Sequence, residues 1–250
     1  MRCPNLLSLL AAWLLAGCAT LPGSIRVDAS PWALLSGATT PGAAPWTHKP
    51  LPGKAETRFR YERHEGRDAI AVQADASASL LRQSVRIESP ALGRLHFSWK
   101  VPALIPGADL GIRDKADGPV RIVLAFDGDR SRFSPRDAAL SELVRALTGE
   151  ELPYATLMYV WSNARRPESV VRNARTDRIR KLVVESGAAR LHQWVDYERD
   201  IRADYQRAFG EPPGALVGIA IMTDSDNTAS QARAWYGPLL LLPPAGAAPP

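Results

Sequence analysis

Residues Asp224-Ser225-Asp226-Asn227-Thr228 place carboxylate, hydroxyl and amide oxygens side by side, directly after the apolar run Leu216 to Met222. Such a loop can ligate a hard cation such as calcium, or accept hydrogen bonds from sugar hydroxyls. The Gly and distal Glu of an EF-hand loop are missing, and the same residue types also close ordinary turns on their own backbone. Asp117, four residues before Arg121, forms a second polar set, and Glu198, Arg199, Asp200 and Asp204 a third. Carboxylates whose environments split their pKa values can serve as acid and base in glycan processing, which makes Asp117, Asp200, Asp204 and Asp224 candidates. If the same acids face inward they need partners such as Arg121, and then form a buried ion-pair network. Trp99, Trp161, Trp194 and Trp235 each offer a flat face and an indole donor, and Trp161 and Trp235 join the candidate ligand contacts. Core packing competes for these tryptophans, whereas Trp46 and Tyr236, nearer loops, are expected to be exposed. The candidate ligand or cation set is therefore Asp224, Asp226, Asn227, Thr228, Asp117, Arg121, Trp161 and Trp235.

Other chemistries lack their signatures. There is no Gly-x-Ser-x-Gly elbow, His-Glu-x-x-His pair, phosphate-cradling Gly-rich loop or dinucleotide fingerprint. His48, His64, His96 and His192 have no mutual spacing that suggests a metal face. The chain has 250 residues, 46% hydrophobic and 23% charged, enough apolar content for a real core. Its formal charge of +5 comes from basic residues scattered among acids, which gives no case for nucleic acid. The densest basic stretch, Arg165, Arg166, Arg172, Arg175, Arg178 and Arg180, suits a solvated loop, or contact with anionic lipid or an acidic glycan.

Met1 to Gly17 has a basic start, an apolar stretch and small residues at a cleavage point, the pattern of an export signal. The apolar run is shorter than the ~20 residues of a spanning helix. Leu15-Ala16-Gly17-Cys18 resembles the bacterial lipobox, which implies lipidation of Cys18 after cleavage. Several acyl chains anchor a soluble domain stably without a transmembrane helix. Cys3 would leave with the signal, so the mature domain would keep no free thiol. Ala19 follows the cysteine where enterobacterial inner-membrane lipoproteins carry Asp, so the resemblance points to the periplasmic face of the outer membrane. The expected layout is a signal peptide over 1–17, a lipidated cysteine and tether over 18–23, one domain over 24–242, and a frayed tail over 243–250.

These residues need a scaffold. Ala19 to Gly53 is rich in Pro, Gly and Ala and reads as a tether that becomes an irregular edge, with Trp32 and Trp46 as anchors. Thereafter the pattern alternates: Leu95, Phe97, Trp99 and Val101 oppose Arg94, His96, Ser98 and Lys100, the period of a half-buried strand. Further strands are predicted at 69–74, 80–87, 120–126, 155–161, 180–185, 216–222 and 234–241. Ser134-Pro135 opens a predicted helix that ends near Gly149, and Gln193 to Phe209 reads as a second helix stopped by Gly210. Both look amphipathic, covering a sheet. Many strands and few helices favour a mainly β, antiparallel β-sandwich.

Tyr159-Val160-Trp161-Ser162, Trp194 with Glu198-Arg199-Asp200 and Asp204-Tyr205, Gly218 to Thr228, and Ala234-Trp235-Tyr236-Gly237 fit together as phrases of one pattern. Phe97-Ser98-Trp99-Lys100-Val101 and the Asp117 to Arg121 spacing fit it too. This pattern resembles the bacterial domain of unknown function 3047 family, over about Ser24 to Leu242. The resemblance implies a jelly-roll sandwich akin to galactose-binding-like and carbohydrate-binding modules, and no established activity. The family usually pairs two acids where this chain has Ala116-Asp117, and usually has an acid at Pro238. The reading that follows is a lipid-anchored periplasmic binding module for a glycan or envelope component, with no cofactor beyond possible calcium. The alternatives are a glycan-processing enzyme, or a structural lipoprotein with an envelope protein as partner.

Overall fold

Alternating side chains between Gly, Pro and Asp turns build thirteen short strands among the described residues, joined by three α-helices. The computed structural model describes residues 26–37 and 43–244. The export signal, Cys18 and residues 245–250 of the expected tail lie outside the described residues. In chain order the first elements are α1 (Pro31–Gly37), β1 (Thr47–Pro50), β2 (Arg58–His64), β3 (Arg67–Asp75), β4 (Ser79–Ile87) and β5 (Arg94–Lys100). There follow β6 (Gly118–Phe126), α2 (Pro135–Thr148), β7 (Ala155–Ser162), β8 (Val170–Arg172), β9 (Ile179–Ser186) and β10 (Trp194–Asp200). The last are α3 (Ile201–Phe209), β11 (Leu216–Asp224), β12 (Gln231–Tyr236) and β13 (Leu240–Leu242).

Two sheets face each other. One has seven strands in the order β1-β4-β11-β6-β7-β9-β8; the other runs β10-β5-β12-β3-β2, with β13 also paired to β5. Their inward residues, among them Phe97, Trp99, Ile122, Leu124, Tyr159, Trp161 and Ile221, form one core. Burying each such side chain stabilises the fold by about 1.5–3 kcal/mol. The expected β-sandwich is the observed architecture, with one departure from a fully antiparallel design. β7 and β9 run parallel, because β8 forms an antiparallel edge on β9 after the chain has crossed over from β7. No described helix is long and apolar enough to cross a membrane.

Four local expectations are corrected. Trp194 to Asp200 is a strand: seven residues pair with β5, from Trp194 opposite Lys100 to Asp200 opposite Arg94, and this ladder overrides the helical spacing of the aromatics. Helix starts only at Ile201, where the Asp200 carboxylate accepts the Ala203 amide at 2.9 Å. Residues 234–241 split into β12 and β13 because the chain at Gly237 presses onto β5. A Cβ there would lie 2.1 Å from Ser98 Oγ. The segment read as a tether contains α1 and β1, and Trp32 and Trp46 are buried with ring centroids 4.8 Å apart. Tyr236, expected to be exposed, is fully buried as well.

The two expected helices behave differently. α3 packs as expected, with Ile201 and Tyr205 buried and Tyr205 edge-on to Phe126 at 4.7 Å. α2 has the expected cap, Ser134 Oγ accepting the Asp137 amide, and the expected stop at Gly149 (φ 75°). Its apolar stripe does not cover the sheet. Leu143 and Leu147 are 56% and 63% exposed, while Asp137 and Ser141 are the buried residues. Polar ties orient α2: Asp137 accepts from Thr176 and from Ser134, and Arg130 bonds Ser141 and the Leu152 carbonyl.

Candidate binding site

The seven-stranded sheet turns one face to the core, so every second residue of β6, β7, β9 and β11 points outward. Those outward residues include Arg121, Met158, Lys181, Met222 and Asp224, and together they line a hollow of about 250 Å3. Leu110, Ile112, Lys54 and Asn227, from flanking loops, form part of its rim.

Arg121 and Asp224 sit on neighbouring strands whose register places Met222 opposite Arg121 and Asp224 opposite Gly118. Arg121 Nε donates to Asp224 Oδ1 at 2.8 Å and Nη2 to Oδ2 at 2.9 Å, while the Gly118 amide donates to Oδ1 at 3.0 Å. Nη2 also reaches the Ala116 carbonyl. At Gly118 a Cβ would stand 3.3 Å from Arg121 Nε, a tight contact that would press on the guanidinium. Burial raises the Asp224 carboxyl to about 6 against the pull of Arg121, and Asp117 adds to the rise. Behind this pair the Tyr236 hydroxyl accepts the Arg121 amide at 3.1 Å and donates to the Met222 carbonyl at 2.6 Å.

Asp117 organises the loop after β11. Its Oδ1 accepts from the Asn227 amide (3.1 Å) and Nδ2 (2.7 Å), and its Oδ2 from the Thr228 amide (2.7 Å) and Oγ1 (2.6 Å). Burial pushes this carboxyl up, but the bonds from Thr228 and Asn227 outweigh it and leave it below the ordinary carboxylate value. Asp226 pairs with Lys54. Asp109 and Arg165 clamp the hollow's rim, with Arg165 Nε 2.7 Å from Oδ1.

Of the sequence candidates, the structure thus gathers Asp117, Arg121, Asp224, Asp226, Asn227 and Thr228 at one end of the sheet. Trp161 and Trp235 stand apart. Trp161 is fully buried in the core, its indole donating to the Gly187 carbonyl at 2.9 Å. Trp235 lies on the outer face of the other sheet, stacked on His64 at 4.0 Å and bonded to Glu62. Asp204 pairs with Arg199 rather than Arg121, through contacts of 2.8 and 2.6 Å, and Asp200 serves as the α3 cap.

One oxygen from each of Asp117, Asp224 and Asp226 lies within 4.8 Å of the others, a set that could attract a hard cation. The donors do not fit one. Both oxygens of Asp117 and both of Asp224 already accept hydrogen bonds, and Arg121 and Lys54 are ion-paired with Asp224 and Asp226. The same bonds tie the Asp117 and Asp224 oxygens to Arg121, Gly118 and the Asn227-Thr228 loop, an arrangement that does not favour the acid and base roles considered for them. The basic stretch is divided too: Arg165, Arg178 and Arg180 pair with Asp109, Glu211 and Asp177, while Arg166, Arg172 and Arg175 are exposed.

Lys181 is the site residue the sequence reading did not single out. It is 2% exposed, and its Nζ donates to the Leu110 carbonyl at 2.8 Å. Burial, reinforced by Arg121, lowers its ammonium to about 7. The available signal was a charge in the run Arg180 to Val184, where two adjacent basic residues of one strand must point to opposite faces. A second groove, of about 620 Å3, lies on the other sheet, but its polar lining, including Arg58, Gln73, Asp75 and Arg233, is exposed to solvent.

Two packed sheets with a charge-locked hollow on an outer face define a β-sandwich module. The chain belongs to the family described as protein of unknown function (DUF3047), whose model matches residues 44–240. The matched span begins after α1, later than the expected start near Ser24, and contains every residue of the hollow named above. No curated protein matches the chain.

Proposed function

We propose that this protein is a binding module, tethered by lipid at Cys18 to the periplasmic face of a bacterial envelope, with the outer membrane as the favoured site. The module holds a glycan or another envelope component in the hollow on its seven-stranded sheet. The observation that carries the reading is the pairing of an apolar floor, Met158 and Met222, with donors fixed in advance, Arg121 and Asn227. Pre-formed concave sites with a few convergent polar groups are the usual form of a small-ligand site. Turnover is not favoured, since the carboxylates that would act as acid and base are held by Arg121, Arg199 and the Asn227-Thr228 loop.

A second reading, an envelope lipoprotein with a protein partner, draws on the outward Leu143 and Leu147 of α2. Calorimetry of the purified mature protein against peptidoglycan fragments, core oligosaccharides and neutral oligosaccharides separates the two. The hollow reading expects saturable binding to at least one glycan class that Met158→Trp abolishes while Leu143→Ser leaves it unchanged. Binding that ignores Met158→Trp, or no binding across the panel, would overturn it.

A further inference from the structure

Four basic side chains of the described chain are buried: Lys100, Arg121, Arg180 and Lys181. Three have a carboxylate in ion-pair contact, Glu65 for Lys100, Asp224 for Arg121 and Asp177 for Arg180. Lys181, the most deeply buried of the four, has none, and its one protein partner is the neutral Leu110 carbonyl. An ammonium has three N–H donors, and a buried charge without a counter-charge is costly. Lys181 also stands at the wall of the hollow, not in the sealed core.

Its surroundings sharpen the point. Met158 of β7 is the register partner of Lys181, and Arg121 of β6 leans over the same methionine, with Nη1 3.8 Å from Sδ. A thioether is a weak acceptor, so Nη1 is the least satisfied nitrogen of a guanidinium whose Nε and Nη2 are taken by Asp224. Two cationic donor groups therefore flank one apolar patch with spare N–H bonds; Asp224, the acid beside them, is already paired with Arg121, and Asp226 and Asp117 are taken by Lys54 and by the Asn227-Thr228 loop. Arg165 and Asp109, which also act on Lys181, pair with each other, and Arg113 and Arg175 join the hollow's lining from its exposed rim.

We propose that the hollow takes an oxyanionic sugar, whose carboxylate or phosphate supplies the missing counter-charge of Lys181 and bonds Arg121 Nη1 while its ring lies on Met158. The inference rests on the hollow being the ligand site and specifies what the ligand must carry. The hollow, about 250 Å3, falls below the ~300–1,000 Å3 of drug-sized pockets, which suits a compact ligand on the order of one ring. Since burial brings the free ammonium to about 7, the anion draws a proton onto Lys181 as it binds above neutral pH.

The test is calorimetry of the mature protein at pH 8 with D-glucuronate, glucose 6-phosphate and glucose, each in two buffers of different ionisation enthalpy. One of the two anions is expected to bind at least about tenfold more tightly than glucose, with uptake of close to one proton. The stronger of the two anions identifies the carboxylate or the phosphate as the natural group. Lys181→Met is expected to abolish the proton uptake and remove the preference over glucose. As a measurement independent of the variant's folding, the Lys181 Cε and Nζ resonances are expected to titrate near 7 in the free protein and at least about two units higher with the anion bound. Equal binding of glucose without proton uptake would overturn the role of Lys181 and leave the hollow as a glycan site. Failure of all three probes, with Lys181 resonances unmoved by either anion, would overturn both.

Discussion

Arg121 grips both oxygens of Asp224 diagonally across the β6–β11 ladder, at 2.8 and 2.9 Å, with each side chain less than a tenth exposed. Removing one member of such a pair strands the other charge away from water. Arg121→Met is therefore expected to lower stability by about 3–5 kcal/mol. The double replacement Arg121→Met with Asp224→Leu is expected to cost much less than the sum of the two single changes, because no lone charge remains. Urea unfolding of the four members of the cycle measures this, and strict additivity would contradict it.

Asp117 ties the loop after β11 through four accepted hydrogen bonds. Asp117→Ala is expected to cost about 2–4 kcal/mol, from two or more bonds to a charged acceptor at about 1.5–3 kcal/mol each, partly recovered by water. Hydrogen exchange should localise the effect. The Asn227 and Thr228 amides should lose protection by orders of magnitude, while amides of the β2–β3 pair keep theirs.

Lys181 makes stability depend on pH. Its folded value, about 7, is far below the ordinary lysine value of 10.5, so above pH 7 the unfolded chain binds a proton that the folded one does not. Stability should then rise from pH 7 towards pH 9.5, at up to about 1.4 kcal/mol per unit from this group. Lys181→Met should flatten that rise and be more stable than the parent at pH 7. Above pH 10 the buried tyrosines, whose values are raised, oppose the trend, so the comparison belongs below that point. A parent chain with no rise between pH 7 and 9.5 would refute the assignment.

The Tyr236 hydroxyl accepts the Arg121 amide and caps the Met222 carbonyl from inside the sandwich. Tyr236→Phe keeps the ring and removes both of these bonds from the core, an expected loss of about 1–3 kcal/mol by thermal or urea unfolding.

Cys18 is expected to carry lipid in cells that export and process the chain. Mass spectrometry of the membrane-extracted protein should show an acylated N-terminal cysteine, and Cys18→Ser should move the protein into the soluble fraction. Recovery of an unmodified thiol from the membrane fraction would end the tether proposal.

Most of the scaffold was legible because its signal is local. The alternation of Leu95, Phe97 and Trp99 sets a face whatever the rest of the chain does, and Ser134-Pro135 and Gly149 mark the ends of α2 by backbone chemistry. Where two periods fit the same residues the sequence was ambiguous. Trp194, Tyr197, Ile201 and Tyr205 match a helical stripe, and only the long-range ladder with β5 makes the first two a strand. The direction of α2's stripe was hidden for a related reason, since Asp137 turns inward to meet Thr176, a partner supplied from 39 residues away. At the site, the Asp224-to-Thr228 loop and the Asp117–Arg121 spacing were visible as polar residue types. For Lys181 the local signal was only the pair of adjacent basic residues Arg180 and Lys181 in one strand; its role depends on burial beside β7 and on a loop carbonyl, both long-range.

The two halves of the charged clasp are made at different times. Asp117 and Arg121 leave the ribosome more than a hundred residues before Asp224 and Thr228, their partners at separations of 103 and 111. A nascent or truncated chain ending before Thr228 therefore has strands and an apolar centre but no finished cavity. Closure of the hollow should come abruptly, late in synthesis, once Thr228 has joined Asp117.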